Sequence, residues 1–169
     1  KVIIIGAGPV GTFVAYCLAE YGIETILLES ETSCETDMRA STFHPSTLKY
    51  LDNLNLANEL IDKGLKAPIF QYRIRATDEI LEFNLEELSD VLDFPFRLQC
   101  EQYKFARMLA DKLDNHKYSS VMFNRELISF SDAGNKVKLK VDHKGIIEDY
   151  ECDYLIGADG ANSIVRRNL

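Results

Sequence analysis

The feature that most constrains this chain is its opening. Val2-Ile3-Ile4-Ile5 runs straight into Gly6-Ala7-Gly8-Pro9-Val10-Gly11, a G-x-G-x-x-G. A short apolar run bounded by glycine reads as a strand buried on both faces. From Thr12 the apolar residues recur at helical spacing (Phe13, Ala15 and Tyr16, Leu18 and Ala19), and Gly22 stops the helix. Thr25–Leu28 is a second apolar run, closed by Glu29, which stands 18 residues beyond Gly11. Strand, glycine loop, helix, strand and acidic residue occur in the order and spacing of a dinucleotide-binding βαβ unit.

Each part has a physical task. Gly6 makes the tight turn out of the strand, Gly8 lets backbone approach a pyrophosphate, and Gly11 lets helix and strand come close. The free N–H groups at the helix start and the positive end of its dipole favour phosphate there. Glu29 is placed to accept hydrogen bonds from two ribose hydroxyls, and its charge repels a 2′-phosphate. The site is therefore expected to take FAD or NAD rather than NADP. The motif does not choose between the first two.

A chain of 169 residues is long enough for one domain with a real core. Its net charge of −8 argues against a nucleic-acid or anionic-membrane surface, both of which select basic patches. No apolar run has the length of a membrane span and none reads as a secretory leader; cysteines that read as reduced thiols make a cytoplasmic setting the expectation. Cys17, Cys34, Cys100 and Cys152 form no C-x-x-C pair, so no metal site is expected and reduced thiols fit best. Cys17 lies among apolar residues of the first helix and is expected to be buried.

Beyond Glu29, residues 30–37 form a polar connection too charged to pack. Pro45 suits a first helical turn, and Leu48, Leu51, Leu54, Ala57, Leu60 and Ile61 carry an apolar pattern as far as Gly64. Residues 69–75 alternate and residues 80–83 follow a loop around Asp78, which predicts a β-hairpin. This antiparallel pair does not belong to a plain βαβ repeat and signals a second layer. Glu86, Glu87, Asp90 and Asp93 read as a solvated acidic loop. Residues 94–99 read as irregular, leading to a helix over about 101–113 with a Phe105, Ala106, Leu109, Leu113 stripe. Residues 119–123 read as a third parallel strand. Residues 126–130, 136–142 and 146–152 alternate and are split by turn signals, a three-stranded meander inside the crossover. A last parallel strand, 154–156, leads into Asp159-Gly160. Taken alone, Arg39 reads as a surface arginine, His44 as a loop histidine and Gln102 equally as a ligand contact or an exposed amide.

Four stations in this order resemble the FAD-dependent aromatic hydroxylases, the single-component flavoprotein monooxygenases similar to para-hydroxybenzoate and phenol hydroxylases. They are the G-x-G-x-x-G with Glu29; Arg39-Ala40-Ser41-Thr42-Phe43-His44-Pro45 before a leucine-rich helix; Gln102 with Leu109; and Asp159-Gly160 with Ser163 and Arg166. The resemblance implies an α/β fold: a Rossmann-like FAD-binding fold with a parallel sheet, a β-meander crossover and the start of a second antiparallel sheet. It implies that Gly6, Gly8, Pro9, Val10 and Gly11 hold the FAD pyrophosphate and Glu29 the adenosine ribose. Arg39 and Gln102 would contact the pyrophosphate and ribityl region, while Asp159 and Gly160 belong to a motif associated with FAD and the passing NAD(P)H. These stations tip the choice of cofactor to FAD.

The activity implied is hydroxylation of a small aromatic, phenolic substrate with NAD(P)H as transient reductant and O2, through a flavin hydroperoxide. No nucleophile-and-base set is recognisable, so catalytic side chains are not assigned. Residues 1–169 are expected to be the FAD-binding part of a longer protein, with about 68–98 beginning the substrate-side sheet. A second FAD motif and the rest of the substrate part would lie further on, so this stretch alone is expected to be inactive. Rival readings are another FAD oxidoreductase (a halogenase or a prenyl-lipid reductase), a non-catalytic nucleotide-binding module and a plain NAD dehydrogenase domain. Substrate identity, NADH against NADPH and oligomeric state are not legible.

Overall fold

The structure, a computed structural model, describes residues 1–34 and 40–169. In chain order, β1 (Val2–Ile5), α1 (Pro9–Glu20) and β2 (Thr25–Leu28) come first. β3 (Thr42–Phe43), α2 (Pro45–Asp52), α3 (Ala57–Ile61), β4 (Leu65–Ala67), β5 (Ile69–Ile74), β6 (Glu79–Asn84) and β7 (Arg97–Gln99) follow. α4 (Gln102–Asp114) leads to β8 (Ser119–Met122), β9 (Glu126–Asp132), β10 (Val137–His143), β11 (Ile146–Cys152), β12 (Tyr154–Gly157) and α5 (Ile164–Arg167). Two compact units result: Lys1–Asp37 with Phe105–Leu169, and Met38–Lys104.

The first unit is built on a four-stranded parallel sheet in the order β12-β1-β2-β8. Val2 pairs with Tyr154 on one side and Thr25 on the other, and Thr25 with Ser119. Every residue of β1 and β2 is buried, as strands covered on both faces require. Alternation divides their side chains. Val2, Ile4 and Leu27 meet Ala15 and Ala19 of α1 and Ala106, Ala110 and Leu113 of α4. Ile3, Ile5, Ile26 and Leu28 meet Leu127, Leu139, Val141 and Cys152 of the antiparallel meander β9-β10-β11, together with Val165. Helices thus cover one face and the meander the other. The expected parallel strands, meander and hairpin all form.

In the second unit β3, β7 and β4 make a three-stranded antiparallel sheet, and β5 with β6 a separate hairpin. Here the structure departs from the expectations. Residues 97–99, expected to be irregular, are the central strand of that sheet, flanked by two short strands that sequence pattern did not reveal. Runs of two or three residues are too short to display a period of two, and their partners lie far away in sequence. The leucine pattern after Pro45 is two helices, not one. α2 ends at Asp52, and Asn55 takes a left-handed backbone (φ 57°) that turns the chain so that Leu56 is buried again.

Cys34 overturns the reading of its connection as unable to pack, since it is 3% exposed within the helix-side core. Burial, with the charge of Glu29 nearby, pushes its thiol up to about 11, which keeps it a protonated apolar filler. Cys17, expected to be buried, is only half-buried. Among the described residues no helix is long and apolar enough to cross a membrane.

Candidate functional site

In an open α/β sheet, ligands sit at the carboxyl ends of the strands, where the chain departs to opposite sides of a strand. That place is the end of β1, because the chain leaves it for β2 on one side and returns as β12 on the other. The loops after β1 and β12 are stitched together there, with the Ala158 N–H donating to the Ile5 carbonyl at 2.8 Å. The Gly6 N–H donates to the Leu28 carbonyl, also at 2.8 Å.

The glycines divide their tasks. Gly6 has a positive φ of 102°, and a Cβ on it would lie 2.5 Å from the Ala158 carbonyl oxygen. A Cβ on Gly11 would lie 1.9 Å from the Gly6 carbonyl oxygen, so helix and loop touch backbone to backbone. Around Gly8 a Cβ would meet nothing within 4 Å. Gly6 and Gly11 are therefore demanded by the protein itself, whereas Gly8 faces open space of the kind a pyrophosphate needs. Gly8 is also the N-cap of α1, Pro9 starts the helix, among the described residues no side chain caps it, and its first turn carries no acidic residue. Val10 is exposed beside it. The positive helix end is left free for an anion.

Glu29 closes this loop from β2. Its carboxylate accepts from the Ala7 N–H at 2.6 Å through Oε2, and from the Ser30 hydroxyl and Glu31 N–H at 3.0 Å through Oε1. Its own N–H donates to the Met122 carbonyl (2.9 Å), and its carbonyl accepts from the Arg125 N–H (2.7 Å). It ties the glycine loop to the second strand, a task the sequence did not reveal. With both sites of Oε1 used and one of Oε2, the carboxylate keeps a single accepting site, on Oε2.

Asp159 turns inward on its own motif. The Ser163 hydroxyl donates to Oδ1 (2.5 Å), and the N–H groups of Ile164 (2.7 Å) and Val165 (3.3 Å) donate to Oδ2. Ser163 in turn accepts from the Arg166 N–H at 3.0 Å. Burial works to raise the Asp159 pKa, but the Ser163 hydroxyl and these N–H groups outweigh it and hold the carboxyl below the usual carboxylate value. Gly160 follows with a φ of 72°.

The structure thus gathers Gly6, Gly8, Pro9, Val10, Gly11, Glu29, Asp159 and Gly160 at the carboxyl ends of the strands of one sheet. Gln102 begins α4 in the other unit, its N–H donating to the Ala40 carbonyl at 3.0 Å. Arg39 lies outside the described residues. Sequence reading missed Arg125, at the exit of β8. Its Nε donates to Glu148 (2.9 Å), which also accepts from the Tyr150 hydroxyl (2.7 Å) and faces His143 Nδ1 (3.0 Å). The Tyr150 hydroxyl, together with His143 and Arg125, holds the Glu148 carboxyl below its usual value against the opposing effect of burial. Glu148 and Tyr150 share a face at a spacing of two, which was the available signal.

A family profile described as FAD binding domain matches residues 1–169. The chain belongs to that family. Among FAD-binding-domain relatives, the 6-hydroxy-3-succinoylpyridine 3-monooxygenase of Pseudomonas putida is 32% identical over all of this chain and 43% of its own length. The chain therefore spans less than half of that relative. The p-nitrophenol 4-monooxygenase of Pseudomonas putida superposes over 98% of this chain and 42% of its own, with a TM-score of 0.91 at 23% identity. A flavin-dependent halogenase superposes over 99% of this chain and 30% of its own, with a TM-score of 0.83 at 21% identity. At those identities the two superpositions show a shared fold.

Proposed function

We propose that this chain is the FAD-binding part of a flavoprotein monooxygenase that uses NAD(P)H and O2 to hydroxylate a phenolic aromatic. The observation that carries this reading is the similarity to a monooxygenase across the whole chain. In this reading Gly8, Pro9, Val10 and the free end of α1 bind the pyrophosphate, and Gly6 and Gly11 let the loop fold tightly enough to present them. Glu29 binds the adenosine ribose and excludes a 2′-phosphate by its charge. Arg39 and Gln102 contact the pyrophosphate and ribityl region, and Asp159 shapes the motif that carries Gly160. When bound, the flavin supplies hydride acceptance and oxygen activation. The chain's own residues bind and orient it. Residues 68–98 would supply the first part of the substrate-side sheet.

The halogenase reading has one observation on its side, the shared fold with such an enzyme. One experiment separates the readings: the visible spectrum of the full-length protein, before and after NAD(P)H, with and without phenolic compounds. A flavin spectrum that bleaches faster with one phenol, followed by a hydroxylated product without added halide, is the expected result. A halide-dependent product favours the halogenase. A colourless protein that binds NAD overturns both.

A further inference from the structure

A vicinal diol set against a carboxylate donates one hydroxyl to each oxygen. The Glu29 carboxylate does not offer both places as it stands. A carboxylate has about four accepting sites, two on each oxygen. Oε2 gives one to the Ala7 N–H at 2.6 Å. Oε1 gives both of its sites away, to the Ser30 hydroxyl and to the Glu31 N–H, each at 3.0 Å. A diol that bridges the two oxygens must therefore displace a donor from Oε1.

The two donors on Oε1 differ in what holds them. Residues 29–31 are strapped at both ends to the exit of β8. The Glu29 N–H donates to the Met122 carbonyl at 2.9 Å, and the Glu29 carbonyl accepts from the Arg125 N–H at 2.7 Å. At the far end the Glu31 carbonyl accepts from the Asn124 N–H at 2.9 Å. Arg125 is held in turn, its Nε donating to Glu148 at 2.9 Å and its Nη1 to the Phe123 carbonyl at 3.0 Å. The Glu31 N–H can leave Oε1 only if this backbone moves. Ser30 lies between the two straps and is exposed. Its hydroxyl rotates about a single side-chain bond, and water stands ready as its new partner. At an exposed site, exchanging one hydrogen bond for another costs little. Ser30 is the donor that yields.

We propose that the Ser30 hydroxyl competes with the ribose: it holds the place on Oε1 that one ribose hydroxyl takes, and a nucleotide binds by turning it out to solvent. Ser30 thereby sets how strongly the site prefers a ribose to a deoxyribose. A sugar that lacks the competing hydroxyl leaves Ser30 in place and displaces nothing. This rests on the reading that Glu29 receives the adenosine ribose.

The test titrates the full-length apoprotein with ADP, 2′-deoxy-ADP and 3′-deoxy-ADP, reading each affinity by calorimetry, in the unaltered protein, Ser30→Ala and Ser30→Thr. Ser30→Ala is expected to bind ADP about two- to tenfold more tightly, the worth of one exposed hydrogen bond. That gain disappears with one of the two deoxy nucleotides, the one that lacks the hydroxyl meeting Oε1, and persists with the other. Ser30→Thr keeps a hydroxyl at the same place and binds ADP as the unaltered protein does. A Ser30→Ala variant that binds ADP no more tightly, or that gains equally with all three nucleotides, overturns the competition. In that case the Glu29 reading stands as long as the unaltered protein binds either deoxy nucleotide more weakly than ADP. Three nucleotides bound alike by the unaltered protein, or none bound, count against the Glu29 reading itself, and the competition falls with it.

Discussion

Asp159 and the glycines show how single residues carry two demands at once. Gly11 leaves no room for a Cβ, while Gly8 leaves room for a ligand, although the two look alike in sequence. Asp159 was legible as part of a motif, but not as the residue that accepts two N–H groups and a hydroxyl at the start of α5. Its carboxyl titrates lower folded than unfolded. In the interval between the two pKa values the unfolded chain binds more protons, so stability rises with pH there. The contribution is complete above the unfolded value of about 4 and is lost as pH falls through the folded one. Asp159→Asn keeps an acceptor without the charge. It is expected to cost about 1 kcal/mol at pH 7 and progressively less below about pH 4. Urea unfolding of both proteins from pH 3 to 7 measures this, and a pH-independent difference contradicts it.

Among the elements, length and alternation decided what could be read in advance. The meander strands run seven residues each and alternate, so they were legible. β3, β4 and β7 are two or three residues long and exist because each pairs with a distant partner, as Thr42 does with Gln99. The meander's contribution is to seal the sheet face opposite the helices. Leu139, 1% exposed, sits at its centre, while Lys138 points to solvent. Leu139→Ala is expected to destabilise the protein by roughly 2–5 kcal/mol, and Lys138→Ala by less than about 0.5 kcal/mol. Denaturant midpoints of the two variants check this, and equal midpoints would show that the meander does not share the core.

At the scale of the whole molecule, the proposed function has the first unit hold the adenosine-diphosphate half of FAD. ADP and FAD are therefore expected to stabilise the full-length apoprotein, by roughly 3 °C at a hundred times Kd, whereas FMN shifts it far less. Thermal melts with each nucleotide decide, and an equal shift with FMN would remove the first unit from the cofactor's binding. What the sequence by itself determined is local: the strand, glycine loop, helix and Glu29 are close along the chain, and their spacing encodes how they meet. The alternation of the meander is local in the same sense. What only the tertiary structure decided depends on residues far apart: the burial of Cys34, the central place of β7, the bond from Ala7 to the Glu29 carboxylate, and the seating of Arg97 over Phe70. Periodicity describes which face of an element is apolar, whereas the partner that face meets is chosen by folding.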